Sequence, residues 1–479
     1  MNNDVRQLFT YSITIEGESM TLWSWSRSHS VKTKPFDFTA GIPTTVCAFA
    51  SFIFATTDEL GYHTSVQRRL DLTHANSRLC LVFRIQGRYF KTLRTVVEHR
   101  GTNITARTTR IFEAVEVKSF DDLTQLEKKT KILKDVWIDD DARTERQIQD
   151  AILQDLDTLS DKLISDGSLN SEHFHDVSEE EKKLVCDALR DRRYRNHFLT
   201  IDCDEQGAQC KGITSDTAPA PDTPGSPRSF VPKRRYRVVY SEVCQALHDI
   251  VDLRTVLQAM LDCLLVVQLL FLIGWVHRDI SSGNLLWYST TEGGRGILSD
   301  LEYAKKFNPD GRGNSDPKTG TPYFMAIEMQ YQTYFKVHHL NRKLSIQDES
   351  IDETLDAVDK KMSHVIHNYE HDLESFFWLL LWTIIARIDS EALQAFARPI
   401  FDYGAGYSAS QWKISTTMGA ASQRQLAESC LAVSASVHDT CASLPIICIS
   451  LTWTGETTLV VSRHIPPYTV QRTKSSMLA

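Results

Sequence analysis

His277-Arg278-Asp279-Ile280-Ser281-Ser282-Gly283-Asn284 is the most informative string in this chain of 479 residues. It follows Leu269–Val276, where apolar residues surround the helix axis, so it is expected on a loop leaving a deeply buried helix. A carboxylate followed five residues later by an amide, on such a loop, suits phosphoryl transfer. The carboxylate orients and deprotonates an attacking hydroxyl, while the amide oxygen and a second carboxylate hold Mg²⁺ on the phosphates. The second carboxylate belongs just after a nearby strand, and Gly296-Ile297-Leu298-Ser299-Asp300 supplies it, sixteen residues past Asn284. The plainer alternative is a polar loop in which Asp279 and Asn284 only cap turns.

Outward from this string, periodicity sets the surroundings. Upstream, Leu253, Val256, Leu257, Met260, Leu261, Leu264 and Leu265 form one stripe of a long amphipathic helix. Downstream, Leu373–Ile385 repeats the pattern with Phe376, Phe377, Leu380, Leu381 and Ile384, and with Trp378 and Trp382 filling the rest. Two buried helices bracketing a loop-rich region describe a helical half built around a central site. The first half reads differently. Met20 to Thr39, Arg110–Val117 and Lys131–Trp137 alternate as strands. Asp139-Asp140-Asp141 has helix-start composition, and Ile148, Ala151, Ile152, Leu156 and Leu159 then share a helical face. The acidic region Asp139–Asp191 is expected to be mostly helix. Asp204–Arg235, with its clustered prolines, reads as a solvated loop ending in Lys233-Arg234-Arg235, a charged strand edge. Tyr236–Val243 reads as the next strand.

A hydrophobic share of 42% supports a large core and excludes general disorder. The balance of 53 basic against 61 acidic residues, net −8, argues against a dedicated nucleic-acid binder. The ten cysteines have no regular spacing and no CxxC, as expected of reduced intracellular thiols without a structural zinc. His364, His367, His371 and Glu374 share a helical spacing, but no HExxH string accompanies them. Met1-Asn2-Asn3-Asp4 does not open a signal peptide, and Leu264–Val276 is short for a bilayer and interrupted by Gln268. The expectation is an intracellular, soluble protein, cytoplasmic or nuclear, with neither nucleic acid nor membrane as partner.

Two further strings carry a resemblance. Gly320-Thr321-Pro322-Tyr323-Phe324-Met325-Ala326-Ile327-Glu328 is similar to the closing motif of protein kinases, with Ile327 where that family has proline. His371-Asp372-Leu373-Glu374-Ser375 opens the second buried helix, where kinases place an Asp that braces the catalytic loop. Ser26-Arg27-Ser28-His29, Lys34-Pro35-Phe36-Asp37-Phe38 and Lys134-Asp135-Val136-Trp137 narrow the match. From about Met20 to Arg387 the chain resembles the fungal-type protein kinase family. The resemblance implies an α+β, bilobal protein-kinase-like fold, with a small β-rich N-lobe carrying extensions and a helical C-lobe. The corresponding boundaries are an N-terminal extension 1–100, an N-lobe 101–243 with a Pro-rich insertion 204–235, a C-lobe 244–402 and a divergent tail 403–479.

On that resemblance Asp279 is the catalytic base, and Asn284 and Asp300 are the Mg²⁺ ligands. His277 and Arg278 hold the loop, and Asp300–Glu328 is the activation segment with Thr321 facing the substrate. Kinases use a strand lysine on the α/β-phosphates, paired with a helix glutamate. Lys134 is chosen for the lysine because it shares a strand face with Ile132 and Val136; the alternative is one more solvated lysine beside Lys128, Lys129 and Lys131. Glu145 is chosen as partner because it precedes Ile148 and Ile152 by three and seven residues. Adenine would meet backbone near Glu242 to Cys244. The departures are equally specific. Ala106-Arg107-Thr108-Thr109, at the place of the phosphate-covering loop, has no glycine, and Glu292-Gly293-Gly294-Arg295-Gly296 falls where only a hairpin turn belongs. Leu301-Glu302 follows Asp300 in place of Phe-Gly, and Ser281 replaces a lysine usual in Ser/Thr kinases. The expected activity is that of a protein kinase using ATP and Mg²⁺ on a protein hydroxyl. A small-molecule phosphotransferase of the same superfold and a catalytically silent scaffold are the alternatives. Ser/Thr against Tyr preference and oligomeric state are not legible.

Overall fold

Tight two-residue turns fold the first part of the chain into antiparallel hairpins. In the computed structural model the described residues are 4–72, 78–98, 107–166, 179–210, 232–291, 293–307, 321–332, 365–386 and 391–401. Strands β1 (Phe9–Glu16) and β2 (Ser19–Ser26) pair across Gly17-Glu18, and β3 (Ser30–Lys32) and β4 (Phe36–Asp37) both pair with β2. Helix α1 (Ile42–Ile53) follows. A seven-stranded antiparallel sheet is then built from β5 (Val66–Asp71), β6 (Arg78–Ile85), β7 (Arg88–Glu98), β8 (Arg110–Val117), β9 (Lys131–Asp139), β10 (Ile201–Gln209) and β11 (Lys233–Tyr240). Its spatial order is β10-β11-β9-β8-β7-β6-β5. Gln86 and Gly87, both at positive φ (48° and 80°), make the turn between β6 and β7. That pair of left-handed residues matches the right-handed twist of the flanking strands, and glycine takes the second position without strain.

The loop read over Asp204–Arg235 is shorter than its composition suggests. Asp204–Gln209 completes β10 and Lys233–Arg235 begins β11, with the Cys210 N–H donating to the Lys233 carbonyl at 2.8 Å. Nor is Lys233-Arg234-Arg235 a strand edge, because β11 lies between β10 and β9. Its three charges are paired across the strands, Lys233 with Asp139 at 2.6 Å, Arg234 with Asp140 at 2.6 Å and Arg235 with Asp135 at 2.6 Å. Asp139 and Asp140 therefore serve the sheet rather than starting a helix. Helix α2 (Glu145–Asp166) begins five residues after Asp140. Thr144 Oγ1 accepts the Gln147 N–H at 3.2 Å and Gln147 Oε1 accepts the Thr144 N–H at 2.9 Å, a reciprocal capping box. Thr144→Ala is expected to lower stability by about 1 kcal/mol, read as a shifted denaturation midpoint.

The sheet is cemented by charge as well as by apolar packing. Arg88 and Lys131 bridge Glu116 and Asp202 at 2.5–3.1 Å, linking β7, β8 and β9 to β10. Hydrogen bonds from Arg88 and Lys131 hold the Glu116 carboxyl below its ordinary range. At Asp202 burial opposes the charge, but the same two cations outweigh it. Carboxyls lowered in the folded state stabilise above their unfolded pKa, and that stability is lost as pH falls through the folded value. Wild type should therefore lose more of its urea stability between pH 7 and pH 3 than Glu116→Gln does.

The chain divides into two compact units. Unit 1 comprises Met1–Gln154, Tyr194–Gln245 and Tyr288–Glu302, and unit 2 comprises Asp155–Arg193, Ala246–Trp287 and Tyr303–Ala479. The architecture is mixed α+β, β-rich toward the N-terminus and helical beyond, consistent with a kinase-like fold. In unit 2, helix α3 (Glu179–Leu189) precedes α4 (Leu253–Leu272), whose first turn is capped by Asp252 accepting the Thr255 N–H at 2.8 Å. By length and composition α4 could cross a membrane, but 56% of its most apolar stretch is buried inside the protein, as in a core helix. It stops at Leu272; Trp275–Val276, read as its continuation, is a two-residue strand paired with Lys305–Lys306. Helices α5 (Ile327–Tyr331), α6 (Tyr369–Ala386) and α7 (Glu391–Phe401) complete the described part. Helix α6 starts four residues earlier than its apolar stripe, capped by Asn368, whose Oδ1 accepts the Glu370 N–H at 3.0 Å. Ala106, Glu292, Gly320, His364, residues 211–231 and the tail 403–479 lie outside the described residues.

Candidate active site

In unit 1 the pleat of β9 decides what Lys134 can reach. Its even positions Ile132, Val136 and Ile138 pack with Tyr236, Val238 and Tyr240, and Lys134 lies on that face, only 5% exposed. A buried ammonium needs partners. Lys134 Nζ donates to Glu145 Oε2 at 2.9 Å and to Asp300 Oδ1 at 2.8 Å, with Glu302 Oε2 at 3.7 Å. Burial works against the charge, but Asp300, Glu145 and Glu302 outweigh it and raise the lysine's pKa well above its usual value. Glu145 opens α2, where the helix dipole also favours a carboxylate.

Asp300 is delivered by the strand Gly293–Leu298, which starts within the glycine-rich stretch and confines the turn to its tip. Asp300 has φ +62°, a left-handed conformation that costs a non-glycine residue of order 1 kcal/mol or more and tends to occur at functional sites. Two residues on, Glu302 pairs with Arg107, which precedes β8. Burial, reinforced by Asp300, pushes the Glu302 carboxyl up to about 7, against the pull of Lys134 and Arg107. The connection between β7 and β8 runs from 99 to 109, longer than the Ala106–Thr109 segment, and contains one glycine, Gly101. Glu242 and Cys244 follow β11. Glu242 does not join the Lys134 cluster; its carboxylate accepts the Thr200 N–H at 2.8 Å and the Thr200 hydroxyl at 2.7 Å. Burial raises the Cys244 thiol to about 12.

In unit 2 the 277–284 loop is held from below by Asp372 of α6. Its Oδ2 accepts the His277 N–H at 2.7 Å, and its Oδ1 accepts the Arg278 N–H at 2.9 Å. Arg278 is buried at φ +74°, so these bonds fix a backbone that would otherwise be unfavourable. The turn presents Asp279 and Asn284 to each other. Asn284 Nδ2 donates to the Asp279 carbonyl at 2.8 Å and to Asp279 Oδ2 at 3.0 Å. Asp279 Oδ1 accepts both the Thr321 N–H at 3.0 Å and the Thr321 hydroxyl at 3.1 Å. Around Thr321, Glu374 Oε1 accepts the Ile327 N–H at 2.9 Å, and Glu328 meets His371 Nε2 at 3.1 Å. His367 Nε2 meets Asp372 Oδ1 at 2.9 Å. Both described histidines of the His364–Glu374 series are thus engaged with carboxylates, His367 with Asp372 and His371 with Glu328.

A family model described as fungal protein kinase matches residues 1–384, about four-fifths of the chain. The chain belongs to the fungal protein kinase family. The match begins ahead of Met20, where the sequence motifs start, and ends three residues before Arg387. None of the curated proteins matches the chain.

In this member of the family, Lys134, Glu145 and Asp300 come together in unit 1, and Asp279 and Asn284 in unit 2. Sequence reasoning passed over three contributors. Glu302 was visible only as a missing glycine, although a carboxylate two residues from Asp300 is itself a signal. Arg107 looked like one residue of a glycine-poor loop. His367 looked like a stray histidine, and its role depends on Asp372, five residues away on the next turn.

Proposed function

We propose that the protein is a bilobal protein kinase that transfers the γ-phosphoryl group of Mg·ATP to a protein hydroxyl. The observation that carries this reading is the Lys134 ammonium, buried and bonded to both Glu145 and Asp300. A lysine so placed is held rigidly on a carboxylate whose side chain is 27% exposed and so open to a ligand. The donor set fits the nucleotide's metal. Asp300 and Asn284 offer hard oxygens, which Mg²⁺ prefers while keeping several of its waters. Bound Mg·ATP supplies the electrophilic phosphorus and the divalent charge that offsets its oxygens.

The chain's own residues do the rest. Lys134 orients the α/β-phosphates and Glu145 keeps the lysine in place. Asp279 accepts the proton of the attacking hydroxyl, which requires Thr321 to yield its hydrogen bonds or to share them with the substrate. Asp372 keeps the backbone of that loop in its strained shape, so positioning rather than covalent chemistry lowers the barrier.

Protein rather than small-molecule substrate is favoured by Ala326-Ile327-Glu328 and Thr321, which resemble a peptide-docking platform, with Ile327 and Glu328 tied to α6 through Glu374 and His371. Phosphorylation measured on peptide libraries beside sugars and aminoglycosides tests this. Incorporation into peptides alone supports the reading, and incorporation into the small molecules alone replaces it by the small-molecule phosphotransferase.

A further inference from the structure

Behind Lys134, on the opposite face of β9, two arginines share one carboxylate. Asp135 is fully buried and is gripped by Arg235, through Nε and Nη2 at 2.6 Å each, and by Arg237 through Nε at 3.0 Å. Arg235 Nη2 also donates to the Val5 carbonyl at 2.5 Å, and Arg237 Nη1 to Ser65 Oγ at 2.6 Å. Arg235 Nη1 and Arg237 Nη2 remain. Both are fully buried and have no acceptor among the described residues, on side chains of residues only 3% and 4% exposed. Both arginines line a cavity of about 10 Å³ together with Leu8, His63, Glu205 and Gly207.

Two guanidinium charges on one carboxylate leave a buried positive charge in excess. Arg27, also buried, stacks with Arg235 on the Trp137 ring, their Cζ atoms 5.9 and 5.8 Å from its centroid, and adds repulsion. Burial and the neighbouring Arg235 lower Arg237 to about 10, against the pull of Asp135. Glu205 offsets part of the charge from the cavity wall, where its Oε2 accepts the Gln86 N–H at 2.7 Å. His63 Nδ1 accepts the Ser65 N–H at 3.1 Å, which places the proton of the neutral ring on Nε2. A water could satisfy the two orphan N–H groups but would leave two guanidiniums sharing one buried carboxylate, with Glu205 of the wall as the next anion. The cavity leaves room for a single small particle.

We propose that this cavity is a binding site for a monovalent inorganic anion of halide size, held between Arg235 Nη1 and Arg237 Nη2. The site is independent of the nucleotide chemistry, so its test needs no activity. Crystals of the full chain grown with bromide in place of chloride should give an anomalous peak between the two guanidiniums, next to His63. In solution, sodium bromide or chloride should raise Tm by a few degrees, roughly, over sodium gluconate at equal ionic strength, by linkage to the folded state. Arg237→Gln should remove that difference. Water density without an anomalous peak, equal Tm in bromide and gluconate, or an undiminished halide response in Arg237→Gln would each overturn the proposal. So would protection by sulfate without a bromide peak. Should Arg237→Gln fail to fold, the anomalous map of the unaltered protein decides alone.

Discussion

Asp279→Asn is expected to cut kcat for phosphoryl transfer by about 10²–10⁴-fold, the range ascribed to a positioned general base, with little change in the KM for ATP. The amide oxygen can still accept the Thr321 hydrogen bonds, and Asn284 keeps its bond to the main-chain carbonyl of residue 279 though not to the side chain. Most of the loop's architecture should therefore persist while its basicity is gone. Asp279→Ala should abolish transfer altogether, because it also unties Thr321 and Asn284. Steady-state kinetics, with far-UV circular dichroism as the folding control, distinguish the two losses. A variant that keeps wild-type kcat would remove Asp279 from the chemistry.

The second large effect is at Lys134. Methionine matches the lysine's length but removes the charge, leaving Glu145 and Asp300 to face each other without their shared cation. Breaking a buried ion pair by deleting one partner costs about 3–5 kcal/mol, because the remaining charge is uncompensated. Lys134→Met should therefore unfold at clearly lower urea and also cripple phosphoryl transfer. Adding Glu145→Gln to Lys134→Met should recover part of the stability and none of the transfer. That pattern is a coupling energy between neighbours and separates the lysine's structural role from its chemical one.

Local periodicity made a good part of this architecture readable. Alternation along Lys131–Trp137 placed Lys134 with Ile132 and Val136, and the three- and four-residue steps through Ile148 and Ile152 put Glu145 on the inward face of α2. The stripes of α4 and α6 marked the helices on either side of the 277–284 loop. What escaped was set by distant partners. Asp139 and Asp140 have helix-start composition, yet Lys233 and Arg234, more than ninety residues on, draw them into sheet pairing. The helix start fell instead to Thr144 and Gln147, whose signal is a four-residue pattern that the acidic run overshadowed. Arg235 looked like strand-edge charge because its acceptor, Asp135, is hidden in a neighbouring strand. Glu302 and Arg107 find each other across almost two hundred residues, a pairing that no window of sequence contains.

Nucleotide binding measured on the full chain bears most directly on the central claim. Thermal unfolding should be followed with ATP alone, Mg²⁺ alone and both together, for wild type and for Lys134→Met. Mg·ATP at millimolar concentration is expected to raise Tm by several degrees, roughly, through linkage to the folded state, and Lys134→Met is expected to lose the response. An unchanged Tm of the folded wild type in millimolar Mg·ATP would contradict the enzyme reading and leave a catalytically silent scaffold of the same family.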